Sequence, residues 1–215
     1  MLTLGVLASG GGTNFQAIID GIDSGFLNAR ISVLITDNPN AIAVERAKKH
    51  KIEHLILRPK DFSDKDSYYS HIAEELHKRG VELVILAGFM RVVGKALIDK
   101  YRNRIMNIHP ALLPSFPGLH GQKQAVDYRV KISGCTVHFV DEGMDTGPII
   151  IQAAVPAYHD DTEESLGKRI LAQEHKIFPY AIKLYSEGRI SIDGRNVTIK
   201  GDREASVMIN PTLGL

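Results

Sequence analysis

Three groups of residues have the types and spacing to do chemistry. The first is Ser9-Gly10-Gly11-Gly12-Thr13-Asn14, set between an apolar run and the helical pattern FQAIIDGI. Glycines that expose backbone N–H groups at a helix start attract anions through hydrogen bonds and the helix dipole. The dinucleotide fingerprint G-x-G-x-x-G, begun at Gly10, needs Gly or Ala where Phe15 stands, and the Walker ending Gly-Lys-Ser/Thr is missing. Two readings stay open on the glycines alone: a tight turn without a ligand, and a loop for a small phosphomonoester.

The second group is Asn107-Ile108-His109-Pro110, where strand alternation puts Asn107 and His109 on the same side. An imidazole carries protons near neutral pH, and an amide donates to an oxyanion. A lone His in such a place also serves as an ordinary structural group. The third is Asp145, within the loop Asp141-Glu142-Gly143-Met144-Asp145-Thr146-Gly147-Pro148. Loops that follow adjacent parallel strands converge at one sheet edge, so Asp145 can reach His109 and stabilise its charged form; it can equally be a turn aspartate bonding its own backbone. Spacing does not choose. A hydrolase triad of Ser115, His109 and Asp145 lacks a G-x-S-x-G elbow, and a metal site of His109, His120 and Asp145 lacks paired His at helical spacing.

The elements that must position these groups alternate. The run 2–8 reads as a strand buried on both faces, 31–36 as a second, and 41–50 as a helix with Asn40 as a possible cap. A short strand at 53–57, an acidic helix over about 64–79 and the apolar strand 82–87 continue the pattern. A helix over about 94–102, strands 104–108, 134–140 and 149–155, and a long helix over about 162–187 with Thr162 as cap and Gly188 as stop complete it. Between 110 and 117 three prolines forbid helix or central strand. The tail RISIDGRNVTIK alternates around Asp193-Gly194 and predicts an antiparallel hairpin. The expected fold is α/β: a single-domain, Rossmann-like, twisted and mostly parallel sheet flanked by helices, ending in a long helix and a small hairpin. The single domain spans 1–215, with a phosphate-binding βαβ half over 1–100 and a catalytic half over 101–215.

Composition narrows the class. With 26 Lys and Arg against 25 Asp and Glu, there is no excess charge to hold a nucleic-acid backbone. No apolar stretch reaches the roughly 18 residues a bilayer span needs, and the N-terminus has no positive region before its apolar run. A cytoplasmic protein acting on small molecules is expected. The lone Cys135 sits in an apolar run and suits a packing role.

Taken together, Ala87-Gly88-Phe89-Met90-Arg91, Asn107 to Pro110, Leu112-Leu113-Pro114, Phe116 to His120, Gly134 to Ile150 and Gln173-Glu174-His175 closely resemble the folate-dependent formyltransferase family, its glycinamide ribonucleotide branch in particular. The resemblance implies an enzyme of purine synthesis that moves the formyl group of 10-formyltetrahydrofolate, a co-substrate, to the amine of glycinamide ribonucleotide. It implies catalytic roles for Asn107, His109 and Asp145, with no metal. Gly12, Thr13 and Asn14 would hold the substrate phosphate, with Arg169, Gln173 and Glu174 facing the ribose and phosphate side. The folate would lie along Met90, Arg91, Val92 and Val93, by Asn107, and along Asp141, Glu142, Gly143, Met144 and Asp145, with Lys65 near its glutamate tail. The family often has Arg where Lys65 stands, and relatives can carry a further His where Gly121-Gln122 follow His120. The related methionyl-tRNA formyltransferases append a basic domain and the formyltetrahydrofolate deformylases precede the domain with a regulatory one; chain length and the net charge of +1 argue against both. A monomer or homodimer is expected.

Overall fold

The computed structural model describes residues 1–201. Leu2–Leu7 (β1) is buried from Thr3 onward, as an apolar run with no polar face requires. It pairs in parallel with Ala29–Thr36 (β2) on one side and Leu83–Leu86 (β4) on the other. His54–Ile56 (β3) extends the β2 edge and Ile105–His109 (β5) the β4 edge, again in parallel. The order β3-β2-β1-β4-β5 places the switch in winding between β1 and β4, where open α/β sheets bind ligands at the carboxyl ends of their strands.

Helices Thr13–Asp23 (α1) and Ile42–Lys49 (α2) cover one face, and Lys65–Lys78 (α3) and Lys95–Lys100 (α4) the other. A reciprocal capping box starts α3, with the Asp64 carboxylate accepting from the Ser67 N–H at 2.7 Å. Asn40 does not cap α2. Ala41 holds that position without a side-chain bond, and the Asn40 N–H is drawn instead to the Asn38 carboxamide oxygen at 3.0 Å.

The sheet is mostly parallel, as expected, and two features of the fold were not specified by the sequence. Ile132–Phe139 (β6) and Ile149–Pro156 (β7) join the seven-stranded sheet antiparallel to their neighbours. A run buried on both faces looks alike in either direction, so only the connections could set the sense. Between the proline-rich loop and β6 lies an unanticipated helix, Gly121–Tyr128 (α5), whose only buried residues are Gly121 and Ala125. At eight residues it is shorter than the stretch over which helical periodicity is read from sequence.

Glu163–Ser186 (α6) opens with Thr162 and Ser165 in a second capping box and lays Leu166, Ile170, Phe178 and Ile182 into the core beneath β6. Gly188 follows at φ 65, a left-handed residue that ends the helix. Ile190–Asp193 (β8) and Asn196–Ile199 (β9) form the expected hairpin. Residues 202–215, included in the single domain read from the sequence, lie outside the described residues.

Candidate active site

The loop after β1 turns on Gly12, which caps α1 at φ 65 and lies so close to α2 that an added Cβ would stand 2.9 Å from that of Ala43. Thr13 is exposed at the helix start, where the first N–H groups have no intrahelical partner. Asn14 is buried. Its carboxamide N–H donates to Glu174 Oε2 at 2.7 Å, while its Oδ1 is buried without a partner among the described residues. Burial pushes the Glu174 carboxyl above its ordinary range, and the Asn14 bond opposes that shift. The loop and helix start therefore offer backbone donors for an anion, whereas Asn14 Oδ1 and Glu174 offer acceptors suited to hydroxyl groups. Gln173 is half-buried beside Glu174. Arg169 is not brought to this cluster: its guanidinium is bound to Asp161 at 2.8 and 3.0 Å and to the Pro156 carbonyl at 2.7 Å, over the ring of Tyr158.

Asn107 and His109 stand on the face of β5 opposite α6, because Met106 and Ile108 alternate into the core. Across the antiparallel pair, Asn107 faces His138 and His109 faces Thr136. Asp145 Oδ2 lies 3.3 Å from His109 Nδ1 and accepts from the Gly118 N–H at 2.8 Å. His109 and Asp145 therefore meet, but by a different route from converging parallel loops. Because β6 is antiparallel, its loop begins beside the start of β5, where the Val140 N–H bonds the Ile105 carbonyl, and it folds back to reach His109. Asp145 takes φ 54 there, a left-handed conformation that Asp tolerates better than most residues. His109 Nε2 lies 2.8 Å from the Phe116 carbonyl oxygen. Both ring nitrogens thus face oxygen acceptors.

Three contributions were missed from sequence. His138 is 2% exposed and lies 3.1 Å from the Asn107 amide nitrogen, and burial lowers its pKa. The alternation of Thr136 and His138 opposite Asn107 and His109 is visible in the sequence only once β6 is paired with β5. Gly118 offers its N–H from the proline-rich loop, and the Ser9 hydroxyl accepts from the Met90 N–H at 3.0 Å, tying the glycine loop to the segment after β4. Cys135 points into the core beneath β6, where burial pushes its thiol up to about 12.

Between the start of α3 and the segment that follows β4 opens a cleft of about 540 Å³ lined by Phe62, Lys65, Tyr69, Met90, Arg91 and Val92, among others. Arg91 is fixed by Asp37 and Lys65 lies 5.8 Å from the Tyr69 ring centre, so the cleft combines aromatic and aliphatic walls with two cations. Met90 and Val92 are largely exposed, whereas Val93 is buried under α3 and α4 and does not face the cleft. Asp141 braces the loop of Asp145, accepting from the Gly143 N–H and the Thr146 hydroxyl. Met144 is exposed, and Glu142 turns outward to Lys95 and Arg102. Among the described residues no cluster of three or more His, Cys, Asp or Glu is placed to hold a metal ion, and no helix is long and apolar enough to cross a membrane.

Residues 3–182 match the family model described as formyl transferase. The chain belongs to that family. Phosphoribosylglycinamide formyltransferase of Bacillus subtilis is 43% identical over 183 residues, covering 85% of this chain and 94% of that protein. The structure of glycinamide ribonucleotide transformylase 1 from Symbiobacterium toebii is 49% identical and superposes with a TM-score of 0.92 over 93% of this chain and 94% of that one. The trifunctional purine biosynthetic protein adenosine-3 of Drosophila melanogaster is 46% identical over 185 residues, of whose length the chain spans only 14%. The family span thus takes in the glycine loop, the Asn107–His109 strand, the Asp145 loop and most of α6.

Proposed function

We propose that this chain transfers the formyl group of 10-formyltetrahydrofolate to the amine of glycinamide ribonucleotide, giving N-formylglycinamide ribonucleotide and tetrahydrofolate. The observation that carries the reading is that Asn107, His109 and Asp145 gather at β5 while the adjoining strands β4 and β1 lead into an aromatic, cation-edged cleft and an anion-ready glycine loop. A ribonucleotide presents a phosphate to the first and a folate presents an aromatic amide and carboxylates to the second. The residues fit both.

On this reading Gly12, Thr13 and Asn14 supply backbone donors to the phosphate, and Asn14 Oδ1, Gln173 and Glu174 receive ribose hydroxyls. Lys65 takes the carboxylate end of the folate, while Met90, Arg91, Val92 and Met144 border it. Attack of the substrate amine on the formyl carbon builds negative charge on the formyl oxygen. Asn107 donates to that oxygen, and the imidazolium of His109, held by Asp145, stabilises the charge and passes a proton to the departing folate nitrogen. For this His109 Nε2 must exchange the Phe116 carbonyl for the substrate. The attacking nitrogen loses a proton as the C–N bond to the folate breaks; taken up by the now neutral His109, it restores the imidazolium and closes the proton count. Arg169, bound to Asp161, acts on the ribonucleotide only by bracing the start of α6.

Incubation of purified protein with 10-formyltetrahydrofolate, with and without glycinamide ribonucleotide, tests the reading. Loss of formyl-folate that requires the amine supports it. Loss without the amine identifies a deformylase, and no loss identifies a binder.

A further inference from the structure

The amide of Asn107 is nearly symmetric in shape, so something must decide which end donates. His138 supplies the decision. Its Nδ1 lies 2.9 Å from the Phe139 carbonyl oxygen, and a carbonyl only accepts, so Nδ1 carries the ring proton. At 2% exposure a second proton is disfavoured, and burial is the largest cause holding the pKa of His138 down. Nε2 is then a bare lone pair. The Asn107 side-chain nitrogen lies 3.1 Å from it, so one amide N–H is given to His138, the second N–H stays available, and Oδ1 is turned aside. Asp145 Oδ1, at 3.7 Å, is beyond hydrogen-bond reach of the same Nε2. Its other oxygen is engaged with His109 and Gly118.

We propose that His138 is a positioning residue: as a neutral acceptor it fixes the Asn107 amide so that its second N–H meets the reacting formyl oxygen. The proposal rests on the formyltransferase reading above. His138 itself touches no substrate and moves no proton.

The test joins nitrogen NMR of the histidine-labelled protein with kinetics. The His138 signals, assigned by their disappearance in His138→Gln, should show a neutral ring protonated at Nδ1 at neutral pH. A ring protonated at Nε2, or an imidazolium, overturns the proposal. His138→Phe removes the acceptor but keeps a flat ring; since removing an oxyanion donor outright costs about 100-fold or more, loss of its orientation should lower kcat about tenfold or more. KM for both substrates should stay within about twofold. In His138→Gln the Oε1 atom can accept from Asn107, and part of the rate should return. Asn107→Ala combined with His138→Phe should be no slower than Asn107→Ala alone. Full kcat in His138→Phe, or additive losses in the pair, overturns the assignment. If the wild type transfers no formyl group, the functional reading fails instead, while the tautomer still decides how His138 and Asn107 are arranged.

Discussion

Asp145 carries the most connected carboxylate of the cluster, meeting His109, the Gly118 N–H and, at longer range, His138. Asp145→Asn preserves its shape but removes the charge that balances an imidazolium. Turnover should fall by about 100-fold or more with KM little changed, because the lost interaction belongs to the transition state. Stopped-flow single-turnover rates with both substrates saturating check this; an unchanged rate means Asp145 is only a turn residue. Glu174 makes the opposite kind of prediction. Its folded pKa is raised above the ordinary value of 4.5, so whatever it contributes to stability is fully present below that value and is lost as pH rises through the folded pKa. Glu174→Gln, which keeps an acceptor for Asn14, should therefore raise Tm at neutral pH and give no gain at acidic pH below the ordinary carboxylate value. Ribonucleotide binding should weaken in the same variant. Equal gains at both pH values would mean that the buried carboxyl does not titrate as the structure implies.

At the level of elements, the loops impose the tighter constraints. Gly147 approaches the Phe139 carbonyl so closely that an added Cβ has no room, and the obstacle is backbone rather than a movable side chain. Gly147→Ala should push the Asp145 loop away from the end of β6 and lower kcat while the fold, read by circular dichroism, persists; full activity would show that the loop tolerates the shift. Gly12→Val adds both a strained φ and a clash with Ala43, and calorimetry should find ribonucleotide binding impaired and folate binding kept. The Thr162 cap and the hairpin around Gly194 were legible because a few adjacent residues determine them. The direction of β6 was not, since Gly134 to Val140 is as apolar in either sense, and α5 was hidden by its length of eight residues directly after a proline-rich loop. The trio Asn107, His109 and Asp145 came from family resemblance more than from spacing. His138 needed the antiparallel register, and the separation of Arg169 from Glu174 needed the contact with Asp161.

Across the whole molecule, three loops leave the same end of the parallel strands: the glycine loop after β1, the Met90 segment after β4 and the proline-rich loop after β5. On the proposed reading the two substrates bind on separate regions, so hydrogen exchange should divide cleanly. Ribonucleotide should protect the segments around 9–16 and 169–175, and a stable folate analogue those around 65–69, 90–92 and 141–145; the reverse pattern would exchange the two assignments. The central claim is that this cluster moves a formyl group between two small molecules. Its most direct test is a single turnover with 10-formyltetrahydrofolate carrying an isotopically labelled formyl carbon, quenched and resolved by NMR, for the wild type and Asp145→Asn. The account predicts that the label moves from the folate to the amine of glycinamide ribonucleotide in the wild type, at a rate lowered by about 100-fold or more in the variant. Label released as free formate, or moved equally fast by Asp145→Asn, would contradict it.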